Sequence, residues 1–206
     1  MSSRYNNKGF TLAEVLVALA IFGFVVIMGS GTLVAVSNTN YSAQVSRKTI
    51  DNIDFILDDI VREARFGKDY HCEITETIND ATPKDCDKGH QSFALTRLDN
   101  GYIVRYATSS ISQPDGSKRS ALMKQVIDPN NPAHLDPNHP DYPKAIQISA
   151  DNIDIKHLRF YVSGSGVSDG LPAQVLVSIQ AELKKGSKYQ TSINLQTTIA
   201  QRASDN

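Results

Sequence analysis

The longest hydrophobic stretch of the chain covers residues 15–36, which include no charge and no proline. No Lys, Arg, Asp or Glu occurs between Glu14 and Arg47. A helix rises about 1.5 Å per residue, so this stretch would be about 33 Å long and would cross a hydrocarbon core of about 30 Å. It exceeds the hydrophobic region of a secretory signal peptide, which has about 7–15 residues. The pattern therefore predicts one membrane-spanning helix.

A second helical pattern follows, in which apolar positions recur every three to four residues. The stripe consists of Ile53, Ile56, Leu57, Ile60, Val61 and Ala64. The charges between them are nearly balanced in sign, and we interpret them as a solvent-exposed face. Gly67 favours the end of the helix. We expect a nearly continuous helix over residues 12–66 whose second half packs against a head domain. A coiled-coil surface is the alternative, which the few heptads disfavour.

The remaining chain alternates between apolar and polar positions, as half-buried strands do. Strands are predicted at residues 93–98, 102–107, 121–127, 153–162, 175–183 and 193–199. Asp99-Asn100-Gly101 predicts a tight hairpin, residues 184–188 predict a turn, and a slip in the alternation near His157 indicates a bulge. The expected fold class is α+β, with a long N-terminal helix packed on an antiparallel β-sheet head.

Charge and cysteines indicate the orientation and the compartment. The 206 residues carry a formal net charge of -1, without the basic excess of a dedicated nucleic-acid binder. The residues before Phe10 include Arg4 and Lys8 and no acid, and positive flanks stay in the cytoplasm, which places the head outside. Cys72 and Cys86 then lie in an oxidising compartment, which predicts a disulfide that stabilises the head by about 3 kcal/mol. Two free thiols are the alternative.

An acid stands where the apolar helix begins. A carboxylate at the centre of a membrane helix costs about 2.5–3.5 kcal/mol, so Glu14 is a candidate functional residue. The alternative is that Glu14 lies at the membrane interface, where the helix dipole favours an acid. Gly9, Phe10 and Glu14, followed by the unbroken apolar run, closely resemble the class III leader of type IV pilins and type II secretion pseudopilins.

The resemblance implies a structural subunit, a minor pilin or pseudopilin, and no enzyme. It implies cleavage after Gly9 by a peptidase at the cytoplasmic face, N-methylation of the new N-terminal Phe10, and assembly directed by Glu14. The implied partners are other pilins in a helical filament, the prepilin peptidase and methyltransferase, and an inner-membrane assembly platform. The expected location is the inner membrane with the head outside, and then an extracellular or periplasmic filament. The expected segments are the leader (1–9), the transmembrane helix (10–36), the exported amphipathic helix (37–67) and the β-rich head (68–206).

The chemistry of these residues is consistent with that role. Gly9 has no side chain, so a protease can approach its backbone closely. After cleavage Phe10 carries an amine inside the membrane, which is as costly there as the lone carboxylate of Glu14. Pairing Glu14 of one subunit with the Phe10 amine of its neighbour satisfies both charges at low dielectric and fixes the axial register.

Two other functions are weighed against the filament subunit. The first is a tip subunit whose head contacts DNA, a surface or a secreted substrate. Its sequence basis is a set of basic residues that could form a patch: Lys118, Arg119, Lys124, Lys184, Lys185 and Lys188. Charged turns are usually only solvated, so nucleic acid is a disfavoured partner. The second is a single-span anchored protein that enters no filament.

Residues 128–143 contain two similar segments, Asp-Pro-Asn-Asn-Pro and Asp-Pro-Asn-His-Pro, which favour successive turns in a surface loop. Asp128, Asp136 and Asp141 are weak calcium candidates, and His134 and His139 would suit a transition metal. The spacing matches no known calcium loop, so we expect a solvated loop and no cofactor. The five His residues are scattered and form no catalytic or zinc pattern.

The leader predicts a specific effect of Gly9→Ala. The added methyl group should prevent close approach of the peptidase, so the leader should remain on the chain. Intact-mass analysis of the protein from cells measures this directly. A normal mature mass for the variant would contradict the assignment of Gly9.

Overall fold

The computed structural model of the chain describes residues 9–72, 83–166, 172–183 and 192–202. The chain divides into two units, residues 1–45 and 46–206. One helix, α1 (Leu12–Arg65), contains both the apolar stretch and the amphipathic stretch. The predicted long helix is therefore confirmed, and it ends one residue earlier than expected.

Antiparallel strands make up the rest of the described residues. They are β1 (Gly67–Cys72), β2 (Ser92–Arg97), β3 (Ile103–Ser112), β4 (Lys118–Ile127), β5 (Ile146–Gln147), β6 (Ile153–Ser163), β7 (Gln174–Leu183) and β8 (Ser192–Ala200). Within the described part of the chain they form two sheets, ordered β1-β2-β3-β4-β5 and β6-β7-β8. The α+β class with a long N-terminal helix followed by antiparallel sheet is confirmed.

The sequence pattern predicted one sheet and did not predict β1 or β5. Strand β1 reads Gly-Lys-Asp-Tyr-His-Cys and lacks clean alternation, and β5 has only 2 residues. The two sheets meet where β4 passes β6, and each hydrogen bond between them there involves one side chain. The Ser120 amide donates to Asp154 Oδ1 at 2.8 Å, and Arg119 Nη1 donates to the Ile153 carbonyl at 3.4 Å. Alternation predicts which residues are buried, but it does not predict which strands pair.

The predicted stripe of α1 forms the centre of the head's core. Ile53, Ile56, Ile60 and Ala64 have no exposed surface, and they share one hydrophobic cluster with buried residues of both sheets. Leu57 and Val61 pack beside them and are partly buried. The amphipathic half of the helix therefore buries one face, as the periodicity predicted.

Aromatic rings join the two sheets inside this core. The Phe93 ring of β2 stacks on the Phe160 ring of β6, with centroids 5.3 Å apart. Tyr70 of β1 meets the edge of Phe93 at 5.4 Å, and its hydroxyl donates to the Ala64 carbonyl near the end of α1. One continuous core thus includes the helix and both sheets of the second unit.

Local turn chemistry follows the predictions where it is described. Gly101 has φ 73°, and the Arg97 amide donates to the Tyr102 carbonyl at 2.8 Å, so the β2–β3 hairpin is confirmed. The register of β6 against β7 shifts between Ile155 and His157, which confirms the bulge. The turn predicted at residues 184–188 lies outside the described residues.

Gly67 is required where the chain passes from α1 into β1. A Cβ on this residue would lie 2.7 Å from Leu95 Cδ1 and 2.9 Å from the Glu63 carbonyl oxygen. After α1 ends at Arg65, the chain enters β1 through a residue without a side chain, because the start of β1 passes so close to β2.

The predicted disulfide is present and holds the end of β1. Cys72 is joined to Cys86, with the Cα atoms 6.3 Å apart. The Cys86 amide also donates to the Val162 carbonyl at 2.8 Å, so this segment connects β1 to the edge of β6. The alternative of two free thiols is not supported.

The core predicts unequal effects for two substitutions in α1. Ile60→Ala should lower the free energy of unfolding by about 2–5 kcal/mol, because it leaves a cavity under both sheets. Phe55→Ala is the matched control on the same helix, where the side chain is 62% exposed and the change should stay within about 0.5 kcal/mol. Denaturant unfolding of the full-length protein in detergent, followed by tyrosine fluorescence, measures both. Equal losses would contradict this assignment of faces.

Candidate functional site

The acid singled out from the sequence closes a hydrogen-bonded ring at the start of α1. The helix begins at Leu12, so Thr11 is the N-cap residue and Glu14 is the third helical residue. The Thr11 amide and hydroxyl each donate to Glu14 Oε2 at 3.0 Å, and the Glu14 amide donates to Thr11 Oγ1 at 3.3 Å. This is a capping box, which satisfies helix-terminal N–H groups reciprocally.

The capping box means that Glu14 has a local role as well as the role implied by the resemblance. The alternative of an acid at the helix terminus therefore has a geometric basis. Thr11 was not among the residues predicted for the site, although Thr-x-x-Glu before an apolar run is the signature of this motif.

The residues around the expected cleavage point are open. Phe10 is 87% exposed and precedes the helix. Apart from its neighbours along the chain, no described residue has an atom within 4 Å of the position that a Cβ on Gly9 would take. Arg4 and Lys8 lie outside the described residues. This open backbone is what a peptidase that cuts after Gly9 would need.

The helix that follows exposes its apolar side chains on every side. Large side chains from Leu12 to Val36 are mostly about half to three-quarters exposed. In the described part of the chain, α1 is the one helix long and apolar enough to cross a membrane. Such a helix requires hydrocarbon or other apolar helices around it.

A protein-family model described as the prokaryotic N-terminal methylation motif matches residues 4–30. The start of the chain therefore carries the class III prepilin leader motif. The match includes Gly9, Phe10 and Glu14 and the apolar stretch as far as residue 30. Proteins with this motif are typically structural subunits that a prepilin peptidase processes and that assemble with other pilins. No curated protein and no solved structure matches the chain.

The head contains a cluster of paired charges that the sequence pattern did not predict. Lys124 Nζ lies 2.8 Å from Asp59 Oδ2 and 2.9 Å from Glu63 Oε1. Arg97 Nε donates to Glu63 Oε2 at 2.8 Å, and a second guanidinium nitrogen contacts the other carboxylate oxygen. The Tyr106 hydroxyl donates to Asp59 Oδ2 at 2.7 Å. We call these five residues the charge cluster.

The charge cluster attaches α1 to the larger sheet. Its carboxylates come from the helix, and its cations and its hydroxyl come from β2, β3 and β4. Burial raises the pKa of the Glu63 carboxyl, but hydrogen bonds from Arg97 and Lys124 outweigh it, so the net pKa lies below its ordinary value. Burial and the Asp59 carboxylate raise the pKa of Tyr106. Glu63 is therefore ionised and Tyr106 neutral at pH 7.

This cluster corrects two expectations from the sequence. Asp59 and Glu63 do not belong to a freely solvated face, because they bind partners in the sheet. Lys124 does not contribute to a basic patch, because its side chain is only 15% exposed and is paired with two acids. Arg119 is buried as well and pairs with Asp151 at 3.0 Å. Of the patch residues, Lys118 is exposed, and Lys184, Lys185 and Lys188 lie outside the described residues.

The loop at residues 128–143 consists of successive turns, as expected. The amide of Asn130 donates to the side chain of Asp128, and the amide of Asn138 to that of Asp136, each at 2.9 Å. Leu135 anchors the loop by packing on the outer face of the larger sheet.

The loop does not assemble a metal site from the residues considered. Asp128, Asp136 and Asp141 are not brought together, and the described residues contain no group of three His, Cys, Asp or Glu side chains that could hold a metal ion. The weak calcium hypothesis therefore gains no geometric support.

The charge cluster predicts acid-dependent stability. Because the folded-state pKa of Glu63 is lowered, its contribution is present above its unfolded pKa of about 4.3 and is lost as pH falls through the folded pKa. At pH 7, Glu63→Gln should destabilise the head by about 1.5–3 kcal/mol. That difference should shrink over the acidic range below about pH 4.3, as the pH falls through the lowered pKa of Glu63.

Unfolding of the full-length protein in detergent across this pH range measures the effect. Asp58→Asn is the matched control, since Asp58 is an exposed acid on the same helix. A pH-independent loss for Glu63→Gln, or an equal loss for Asp58→Asn, would contradict the assignment.

Proposed function

We propose that this protein is a structural subunit, a minor pilin or pseudopilin, of a type IV pilus-like filament or a type II secretion pseudopilus. The observation that carries the proposal is the methylation motif placed at the start of a helix whose apolar side chains are exposed on every side. An exposed apolar helix needs a bilayer before assembly and neighbouring helices after it.

The subunit is inserted with its basic leader in the cytoplasm and its head outside. The disulfide between Cys72 and Cys86 supports an oxidising compartment for the head. The peptidase cuts after Gly9, the exposed N-terminus of Phe10 is methylated, and the inner-membrane assembly platform moves the subunit into the filament.

Glu14 acts twice in this scheme. Before assembly, Thr11 donates two hydrogen bonds to its carboxylate and so lowers the cost of keeping an acid at the start of a membrane helix. During assembly, the carboxylate meets the amine of Phe10 on a neighbouring subunit. That pair neutralises two charges at low dielectric and fixes the axial position of the subunit.

The structure reduces the support for the DNA-binding form of the tip-subunit alternative. Two of the cations on which it rested, Arg119 and Lys124, are engaged inside the head. No described feature favours binding of a surface or a secreted substrate over a role as a filament subunit.

The two roles of Glu14 are separated by Glu14→Gln. Glutamine can still accept the capping hydrogen bonds of Thr11, but it carries no charge for the amine. The variant should be inserted and cut normally and should be absent from sheared filaments. Intact mass and immunoblots of membrane and filament fractions measure the three steps.

Thr11→Ala is the control for Glu14→Gln. It removes the capping hydroxyl and keeps the carboxylate, so it should still enter filaments. Incorporation of Glu14→Gln at the wild-type level would overturn the charge pairing. A native protein that retains its initiator Met would overturn the whole proposal.

A further inference from the structure

The smaller sheet ends on β8, whose outer edge no described strand occupies. All nine residues of β8 pair with β7, and β8 pairs with no other described strand. Its sequence, Ser-Ile-Asn-Leu-Gln-Thr-Thr-Ile-Ala, has no charge, proline or glycine. Charges, prolines and bulges are the means by which proteins prevent pairing at such edges. Strand β8 has none of them.

The two edges of the larger sheet are protected. Strand β5 has only 2 residues, too few to direct the addition of another strand. Strand β1 contains a register shift between Lys68 and His71, and Asp69 within it has φ 53°. The Lys84 amide already donates to the Tyr70 carbonyl at 2.9 Å and occupies part of that edge.

The other edge of the smaller sheet is covered. The Cys86 amide donates to the Val162 carbonyl at 2.8 Å, and His90 and Phe160 exchange two backbone hydrogen bonds at 2.8 and 2.9 Å. The bulge near His157 distorts the remaining part of β6. Among the described edges, β8 alone is long, regular, uncharged and uncovered.

The side chains of β8 also indicate an incomplete packing layer. Ile193 and Leu195 face the core side but remain only partly buried, whereas Ala181 and Ile179, their partners on β7, are buried. A strand added beside β8 would cover this apolar row and would pair its outward N–H and C=O groups.

We propose that β8 binds an extended strand of a different filament subunit by strand addition. The incoming strand alternates apolar residues on the core side with uncharged polar residues on the solvent side. This inference rests on the proposed function and narrows it, because it makes the protein a heteromeric component of the filament.

A second copy of this chain does not fit the requirement. Pairing β8 with β8 of another copy would be an isologous contact, which closes a two-fold dimer. A filament grows through heterologous contacts between two different patches. The other described edges of this chain are blunted or covered, so none of them offers β8 a different edge on a second copy. The strand therefore comes from another chain.

Site-specific photocross-linking of the full-length protein in its own cells tests the proposal. A benzophenone amino acid replaces Asn194, an exposed residue of β8, and Ser110, an exposed residue of β3, is the control position. Cross-links from position 194 should join a different protein that carries the N-terminal methylation motif. Peptide mapping should place the link in an uncharged, alternating segment of that protein.

Two adjacent substitutions serve as a matched pair in the position-194 background. Thr197→Lys places a charge in the half-buried row that the incoming strand would cover, and should reduce the cross-link about tenfold or more. Thr198→Lys places the same charge on the exposed face, so most of the cross-linked product should remain. Thermal unfolding of both variants establishes that the head remains folded.

A cross-link only to the same chain, no product above the Ser110 control, or equal effects of the two lysines in folded variants would overturn the proposal. If Thr197→Lys unfolds the head, the identity of the protein cross-linked from position 194 tests the proposal without that variant. Mature mass and filament incorporation are measured in the same cells, so failure of the proposed function is seen separately from failure of strand addition.

Discussion

Burial of apolar surface along one helix determines how each unit of this protein is built. Residues 15–36 are apolar on every side, so this part of α1 cannot be satisfied by packing a single face. From Ile53 to Ala64 the apolar residues keep to one stripe, and both sheets of the head pack around it. The same helix thus requires an apolar environment in its first half and serves as a core element in its second.

Carboxylates near both ends of this helix are stabilised in the same way, by hydrogen-bond donors. A carboxylate away from bulk water needs donors. Glu14 obtains them from Thr11 one turn earlier, through local bonds that any capped helix can form. Asp59 and Glu63 obtain them from strands far along the chain, and so the helix is held at one position on the sheet. The local bonds from Thr11 leave Glu14 able to exchange them for another partner, whereas the pairs made by Asp59 and Glu63 are part of the folded core.

The free edge of β8 is the feature of the head that most resembles an unfinished interface. A monomeric protein with such an edge risks pairing with unrelated strands. Within a filament, a defined neighbour at that edge would remove the risk and would add main-chain hydrogen bonds to the contacts between anchor helices. Strand addition at β8 and pairing at Glu14 would then act on separate units of the chain.

The sequence by itself determined the features that depend on near neighbours along the chain. The membrane helix, the stripe from Ile53 to Ala64, the Asp99–Gly101 hairpin and the bulge near His157 follow from periodicity and turn chemistry, which are local properties. The pairing of Cys72 with Cys86 followed from their number and compartment, and the leader followed from Gly9, Phe10 and Glu14 in order.

Only the tertiary structure decided which distant residues meet. Lys124 lies 65 residues from Asp59 and Arg119 lies 32 from Asp151, so no spacing rule could pair them, and both cations looked free in the sequence. The split into two sheets and the missed β1 have the same cause, because alternation marks a buried face without naming the neighbouring strand. The exposed edge of β8 is likewise invisible in its nine residues, since an edge is defined by what lies beside a strand.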